Sequence, residues 1–157
     1  MLLIVWHSRT GASQALAETA KAAAGDAARI TSAVTAGPDD LLMAGGYLFV
    51  CPENLGSMSG AMKELFDRCY YPLLGRIEGR PYASIIAAGS DGHGAQAQLD
   101  RIVTGWRLRR VAEPLIANTH AQTVEEIMAR KTVSPAILAQ ARELGAAMAK
   151  GLELGIF

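Results

Sequence analysis

The sequence has few cysteines and no excess of charge of either sign. Cys51 and Cys69 are its only cysteines, and their spacing is not that of a metal site. We therefore expect two reduced thiols, no metal and a cytoplasmic protein. Fifteen basic side chains balance fifteen acidic ones. This balance gives no electrostatic reason to expect nucleic acid or an anionic membrane surface as a partner.

Long apolar runs are also missing. No run approaches the roughly 20 residues that a helix needs to cross a bilayer, and the N-terminus lacks the basic start and cleavage site of a secretory signal. Half of the residues are hydrophobic and 19% are charged, a composition typical of a folded domain. Because neither a repeat nor a linker interrupts the chain, we expect residues 1–157 to form a single domain.

Short apolar runs alternate with helical patterns along the chain. Alanine-rich or striped segments predict helices over residues 13–24, 62–73 and 95–106, with a short one from Pro38 and a closing one from Ile137. The apolar runs predict strands over residues 2–6, 28–34, 47–51, 82–88 and 111–117. Pro52 closes the third strand, and Pro114 interrupts the fifth, which indicates an edge position or a bulge.

This alternation predicts an α/β fold with a five-stranded parallel sheet and helices on both faces. Five strands with one short N-terminal helix fit the flavodoxin-like order 2-1-3-4-5 better than the six-stranded order of dinucleotide-binding domains. In this order strands 1, 3 and 4 are neighbours. The loops that follow them therefore share the rim at which such sheets bind ligands.

Those three loops are rich in small and polar residues. Their sequences are HSRTGASQ over residues 7–14, PENLGSMSG over residues 52–60 and GSDGHG over residues 89–94. Three such loops on one rim predict a crevice walled by backbone, which suits a flat polar ligand read by main-chain N–H groups.

The first loop by itself has two interpretations. The hydroxyls of Ser8, Thr10 and Ser13, the flexible Gly11 and the N-terminus of the following helix could together bind a phosphate. Alternatively, Ser13 or Thr10 is an ordinary helix N-cap. The loop is neither a Walker loop nor G-x-G-x-x-G, so we do not expect a tightly held nicotinamide dinucleotide.

The second and third loops carry a family resemblance. The segments CPENLGSMSGAMKELFDR and AAGSDGHGAQAQ resemble the flavodoxin-like NAD(P)H:quinone oxidoreductases of the tryptophan-repressor-binding-protein type, and more broadly the FMN-reductase and flavodoxin superfamily. With the first loop, the resemblance covers the chain from Met1 to about Trp106. The matching residues are Pro52, Gly56, Met58, Met62, Phe66, Asp67, Gly92, His93, Gly94 and Gln96.

The resemblance implies that FMN is the cofactor. It assigns the FMN phosphate to Ser8, Arg9, Thr10, Gly11, Ala12 and Ser13. The isoalloxazine ring would be framed by Pro52, Glu53, Asn54, Leu55, Gly56, Ser57 and Met58, with the N–H groups of residues 53–56 facing its pyrimidine edge. The other side of the ring would be closed by Gly89, Ser90, Asp91, Gly92 and His93.

The sequence also departs from these relatives at the flavin edge. Asn54 and Leu55 stand where the quinone reductases usually carry Arg and Phe, and the third loop lacks the aromatic side chain that stacks on the flavin in electron-carrying flavodoxins. His93 lies on the expected rim, where it could hydrogen-bond or protonate a quinone, or could simply be solvated.

The resemblance implies an oxidoreductase in which NAD(P)H is a transient co-substrate and a quinone or a similar small molecule accepts the electrons. A flavodoxin-type electron carrier and a flavodoxin-like binding module without flavin are the alternatives. Electron carriers are usually strongly acidic, and the zero net charge weighs against that alternative. Because neighbouring subunits help to wall the flavin in related enzymes, we expect a homodimer.

Overall fold

The protein is built on a central parallel sheet. The computed structural model describes residues 1–157, and its strand order is β2-β1-β3-β5-β6, with β4 paired to β3 and β7 paired to β5. The strands are β1 (Leu2–Trp6), β2 (Ala28–Ser32), β3 (Gly46–Asn54), β4 (Ser57–Met58), β5 (Pro81–Ala88), β6 (Arg109–Arg110) and β7 (Leu115–Asn118). The helices are α1 (Ala12–Ala24), α2 (Pro38–Met43), α3 (Gly60–Leu73), α4 (His93–Gly105), α5 (Val124–Met128) and α6 (Pro135–Glu153).

The sheet register confirms the predicted order 2-1-3-4-5, in which β5 is the fourth main strand. Leu2 of β1 lies between Ala28 and Gly46, so β1 separates β2 from β3. β3 pairs with β5 up to Pro52, which lies opposite Ala87. The carboxyl ends of β1, β3 and β5 therefore meet at one rim.

Alternation along the strands divides the core into two layers. Leu3 and Val5 of β1 face a cluster that includes α2, α3 and α4, whereas Leu2 and Ile4 face α1 and α6. In the first layer the aromatic rings of Phe49, Phe66 and Trp106 pack in series, with centroids 5.3 and 5.5 Å apart. Both faces of the sheet are therefore covered by helices, as predicted.

Helices α1 and α6 approach each other closely in the second layer. A Cβ atom on Gly145 would lie only 2.3 Å from the carbonyl oxygen of Ala20. Only glycine fits at this point of α6 without displacing the backbone of α1.

Three strand boundaries and one helix differ from the sequence prediction. Of the fifth predicted strand, residues 111–117, only the end forms a strand, as part of β7 (Leu115–Asn118), and the short β6 (Arg109–Arg110) lies before it. Pro114, just before β7, has no N–H to donate to the ladder. The second strand ends at Ser32, before the predicted residue 34. The third does not end at Pro52 but continues to Asn54 and turns back as β4. Helix α5 has no counterpart among the predicted helices.

Candidate functional site

A cleft of about 230 Å³ lies at the carboxyl ends of the central strands. It brings together all three predicted loops and a fourth segment that follows β7. Of the predicted residues, Ser8, Arg9, Thr10, Ala12, Ser13, Pro52, Glu53, Asn54 and Gly89 line it. Gly11, Leu55, Gly56, Ser57, Met58, Ser90, Asp91, Gly92 and His93 are not among the lining residues.

The first loop passes into α1 through a left-handed residue. Gly11 has φ 98° and is the N-cap of α1, and its N–H donates to the hydroxyl oxygen of Ser8 at 3.0 Å. No side chain caps this helix. The N-cap interpretation of Thr10 and Ser13 is therefore wrong, and both hydroxyls are available for another purpose.

Ser13 has a buried hydroxyl without a partner. Its side chain is 1% exposed, and Oγ forms no hydrogen bond in the protein. The N–H groups of Ala12, Ser13 and Gln14 have no partner within the helix by position and none elsewhere in the chain. Unmatched donors at the N-terminus of a 13-residue helix suit an anionic oxygen ligand. The first loop therefore fits the phosphate of FMN.

Residues 119–131, here called the strap, form a wall of the cleft that was not predicted from the sequence. The backbone N–H of Lys131 donates to the carbonyl oxygen of Thr10 at 2.8 Å. The guanidinium carbon of Arg130 lies 3.7 Å from the position that a Cβ on Gly11 would take. The strap therefore places a cation against the first loop. Its residues in the cleft wall are Thr119, Ala121, Ile127, Met128 and Lys131.

A capping box starts the short helix in the strap. The Thr123 hydroxyl accepts from the N–H of Glu126 at 3.2 Å, and the Glu126 carboxylate accepts from the N–H groups of Gln122 and Thr123. These backbone hydrogen bonds hold the pKa of Glu126 below its usual value, and the bond from Gln122 has the largest effect. At the other end, the Lys131 ammonium donates to three carbonyl oxygens of the helix and its end. The T-V-E-E pattern is a signal that could have located α5.

The second predicted loop is a β-hairpin. Leu55 and Gly56 form its two-residue turn, both at positive φ (54° and 73°), as in a type I′ turn. Glu53 pairs with Met58 and Asn54 pairs with Ser57. Leu55 is fully exposed at the tip, whereas Met58 is 3% exposed and belongs to the core. Met58 therefore has a packing role.

The third loop ends at the N-terminus of α4. Gly92 is the N-cap, with φ 92°, and a Cβ there would lie 2.6 Å from Ile116 Cγ2. The His93 side chain is 79% exposed, and its Nδ1 lies 2.6 Å from the Asp91 carboxylate. His93 therefore stands outside the cleft, on its rim.

Two titratable groups near the rim have pKa values shifted towards their uncharged forms. Burial, and secondarily the charge of Arg9, lower the pKa of His7, whose Nδ1 lies 2.9 Å from the Ser59 hydroxyl. Burial raises the pKa of the Cys51 thiol to about 12. Cys51 and Cys69 are both free and buried, so neither thiol offers a reactive thiolate to the site.

The described chain shows no cluster of three or more His, Cys, Asp or Glu side chains that could hold a metal ion. None of its helices is both long enough and apolar enough to span a bilayer.

Comparison with known proteins identifies relatives of the same fold. A flavodoxin from Aquifex aeolicus (strain VF5) is 29% identical over 107 residues, which cover 66% of this chain and 58% of that protein. A WrbA-like flavodoxin from Agrobacterium tumefaciens superposes with a TM-score of 0.78 at 17% identity, over 98% of this chain and 97% of that one. The two-electron reduced flavodoxin from Megasphaera elsdenii gives a TM-score of 0.72 at 17% identity, over 96% and 99% of the two chains.

The family model for NADPH-dependent FMN reductases matches residues 22–123, which is more than half of the chain. The flavodoxin-like fold and the cofactor FMN, both predicted from the sequence, agree with this match and with the flavodoxin relatives. The chain therefore belongs to the NADPH-dependent FMN reductase family.

Proposed function

We propose that the protein binds FMN in the cleft and passes electrons from NAD(P)H through it to a quinone or a similar small acceptor. The buried, unpartnered Ser13 hydroxyl carries the part of this proposal that places FMN, through its phosphate, in the cleft. Leaving such a group without a partner costs about 1–3 kcal/mol, and a phosphate oxygen would remove that cost. The first loop lies outside the residues matched by the family model, so this observation is independent of the match.

The chain divides the binding of FMN between backbone and side chains. In the proposal the phosphate contacts residues 8–13, with Thr10 and Ser13 supplying hydroxyls and α1 its N–H groups. The hairpin from Pro52 and the backbone at Gly89 frame the ring. When bound, FMN supplies a ring that accepts a hydride and releases electrons. The protein's own task is to orient that ring and to exclude water from its buried side.

The lining of the cleft favours an enzyme over an electron carrier. None of the lining residues is aromatic, so no protein ring covers the flavin by stacking. A nicotinamide and a quinone both need an open face of the ring, and they would use it in turn. The zero net charge likewise weighs against an electron carrier, because electron carriers are usually strongly acidic for docking to their partners.

His93 is the proposed hydrogen-bond or proton donor to the acceptor. Its position on the exposed rim, with Asp91 beside its ring, suits an acceptor that approaches from solvent. The exposed apolar side chains of Leu55, Ile127 and Met128 are consistent with the proposed homodimer, which sedimentation of the purified protein would test.

Absorbance spectroscopy with stopped-flow mixing tests the proposed activity. The purified protein should carry, or take up, FMN, and excess NADH or NADPH should bleach its flavin absorbance. Benzoquinone should then restore the oxidised spectrum, with ping-pong kinetics. A flavin reduced by dithionite but by neither nicotinamide would favour the electron carrier. A protein that takes up no FMN would favour the binding module.

A further inference from the structure

Glu53 connects two of the loops that form the cleft. It lies near the end of β3 and lines the cleft. Its Oε1 accepts the N–H of Gly92 at 2.9 Å, and its Oε2 accepts the N–H of Ala95 at 2.9 Å. No neighbouring side chain of α4 caps that helix. A carboxylate from β3 therefore caps the N-terminus of α4.

Two further contacts fasten the hairpin to α4. A Cβ on Gly94 would lie 2.2 Å from the carbonyl oxygen of Gly56, so the turn and the helix touch through backbone. The side-chain oxygen of Gln98 accepts from the Ser57 hydroxyl at 2.6 Å and from the Met58 N–H at 2.9 Å. Gln98 fastens the hairpin without charge, whereas Glu53 does so with a full negative charge.

That charge alters the electrostatics of the rim. The N-terminus of the 13-residue α4 carries positive partial charge and free N–H groups, which would stabilise negative charge nearby. Glu53 satisfies two of those N–H groups and opposes the positive charge with its own. Reduced FMN gains negative charge on the ring, whereas oxidised FMN does not, so a carboxylate in this place disfavours the reduced form.

We propose that Glu53 is a positioning residue that holds the hairpin against α4 and that lowers the affinity of the site for reduced FMN relative to oxidised FMN. This inference rests on the proposed binding of FMN in the cleft. Substrate contact by Glu53 is no part of it, since both carboxylate oxygens are occupied by backbone donors.

The experiment compares Glu53→Gln with Gln98→Ala. Hydrogen exchange in the flavin-free protein reports the cap directly. Because the Gln side chain has a single acceptor oxygen, at least one of the Gly92 and Ala95 amides should exchange at least about tenfold faster in Glu53→Gln, and neither should exchange much faster in Gln98→Ala. The midpoint potential of bound FMN then gives the ratio of its affinities in the two redox states. Glu53→Gln should shift this ratio towards the reduced form by about tenfold, the order expected for one unit charge at a partly solvated site. This equals a rise of about 30 mV for a two-electron couple.

The control variants separate charge from structure. Gln98→Ala should weaken the binding of oxidised and reduced FMN alike and leave the ratio of the two affinities unchanged, because it loosens the hairpin without removing charge. Glu53→Asp keeps the charge and should keep the ratio within about twofold of the wild type. Glu53→Thr, a second neutral variant, should reproduce the shift in the affinity ratio. It replaces Glu53→Gln in the experiment if the Gln variant folds poorly.

The outcomes distinguish this inference from the proposed function. Failure of the wild type to bind FMN overturns both. Binding of FMN by the wild type, with the same affinity ratio in both neutral variants, overturns the role of Glu53 alone, even if amide protection is lost. A shift of equal size in Gln98→Ala would also overturn it, because loosening of the hairpin would then explain the effect.

Discussion

Ser13→Ala should have opposite effects on the flavin-free protein and on FMN binding. The wild-type hydroxyl is buried and unpartnered, which costs about 1–3 kcal/mol. Alanine removes that cost and is the better helix former by about 0.5 kcal/mol, although loss of Oγ leaves a small void. We expect a net gain of about 0.5–1.5 kcal/mol in the free energy of unfolding. For a chain of this size each kcal/mol raises Tm by about 2–4 °C.

The same change should weaken the binding of FMN. A hydrogen bond to a charged group contributes about 1.5–3 kcal/mol, which corresponds to roughly 10- to 100-fold in Kd. Riboflavin has no phosphate, so its much weaker binding should not change. Thermal unfolding of the flavin-free protein measures the first effect, and quenching of flavin fluorescence on titration measures the second.

Ser84→Ala is the matched control. Ser84 is also a fully buried serine, but its hydroxyl donates to the side-chain oxygen of Gln96 at 2.8 Å. Its removal should destabilise the protein by about 1 kcal/mol and leave FMN affinity unchanged. If Ser13→Ala instead lowered Tm as Ser84→Ala does and bound FMN normally, the result would refute the assignment of the Ser13 hydroxyl to the phosphate.

Four other outcomes are expected. Arg130→Gln should weaken FMN binding roughly three- to fivefold at low salt and leave riboflavin binding unchanged. Replacement of the exposed Arg142 by Gln should leave the binding of both flavins unchanged, and equal effects of the two variants on FMN would contradict a phosphate contact. His93→Ala should lower quinone turnover about 10- to 100-fold with FMN affinity intact, and unchanged turnover would show a solvated side chain. Because burial raises the pKa of Cys51 to about 12, iodoacetamide should label this thiol only after unfolding in urea. Rapid labelling of Cys51 in the native protein would show an accessible and reactive thiol instead. Since the folded state lowers the pKa of His7 from 6.5, the unfolded chain binds the proton more readily. The stability contributed by neutral His7 is therefore present above about pH 6.5 and lost as pH falls through the folded pKa. His7→Asn should flatten this part of the urea-unfolding profile, and an unaltered profile would assign the slope to other groups.

The central strands were predictable because they are buried on both faces. β1, β3 and β5 read as short, continuous apolar runs, and their neighbouring positions followed from the alternation with helices. Their shared rim then placed the three small-residue loops together. These inferences need only hydrophobic periodicity and the handed connections of parallel sheets.

The hairpin and the strap could not be read in the same way. A two-residue turn of this kind usually contains Asn-Gly or Asp-Gly, but here Leu55 occupies the first left-handed position, so the usual signal is absent. The strap helix has only five residues, too short for a periodic pattern. Its place beside Thr10 depends on a backbone hydrogen bond to Lys131, which is a tertiary contact.

The close contact between Gly145 and Ala20 means that α6 supports α1 at the cleft, although α6 contributes no residue to the cleft wall. α1 begins at the first loop of the cleft and packs against α6, and the two backbones nearly touch at Ala20 and Gly145. Because α1 is one continuous helix, we expect a tilt of α6 at this contact to move α1 as a whole, including its first turn, where the unmatched N–H groups lie. A chain shortened before Pro135 would keep every residue of the cleft wall and lose the support that holds one side of it in place.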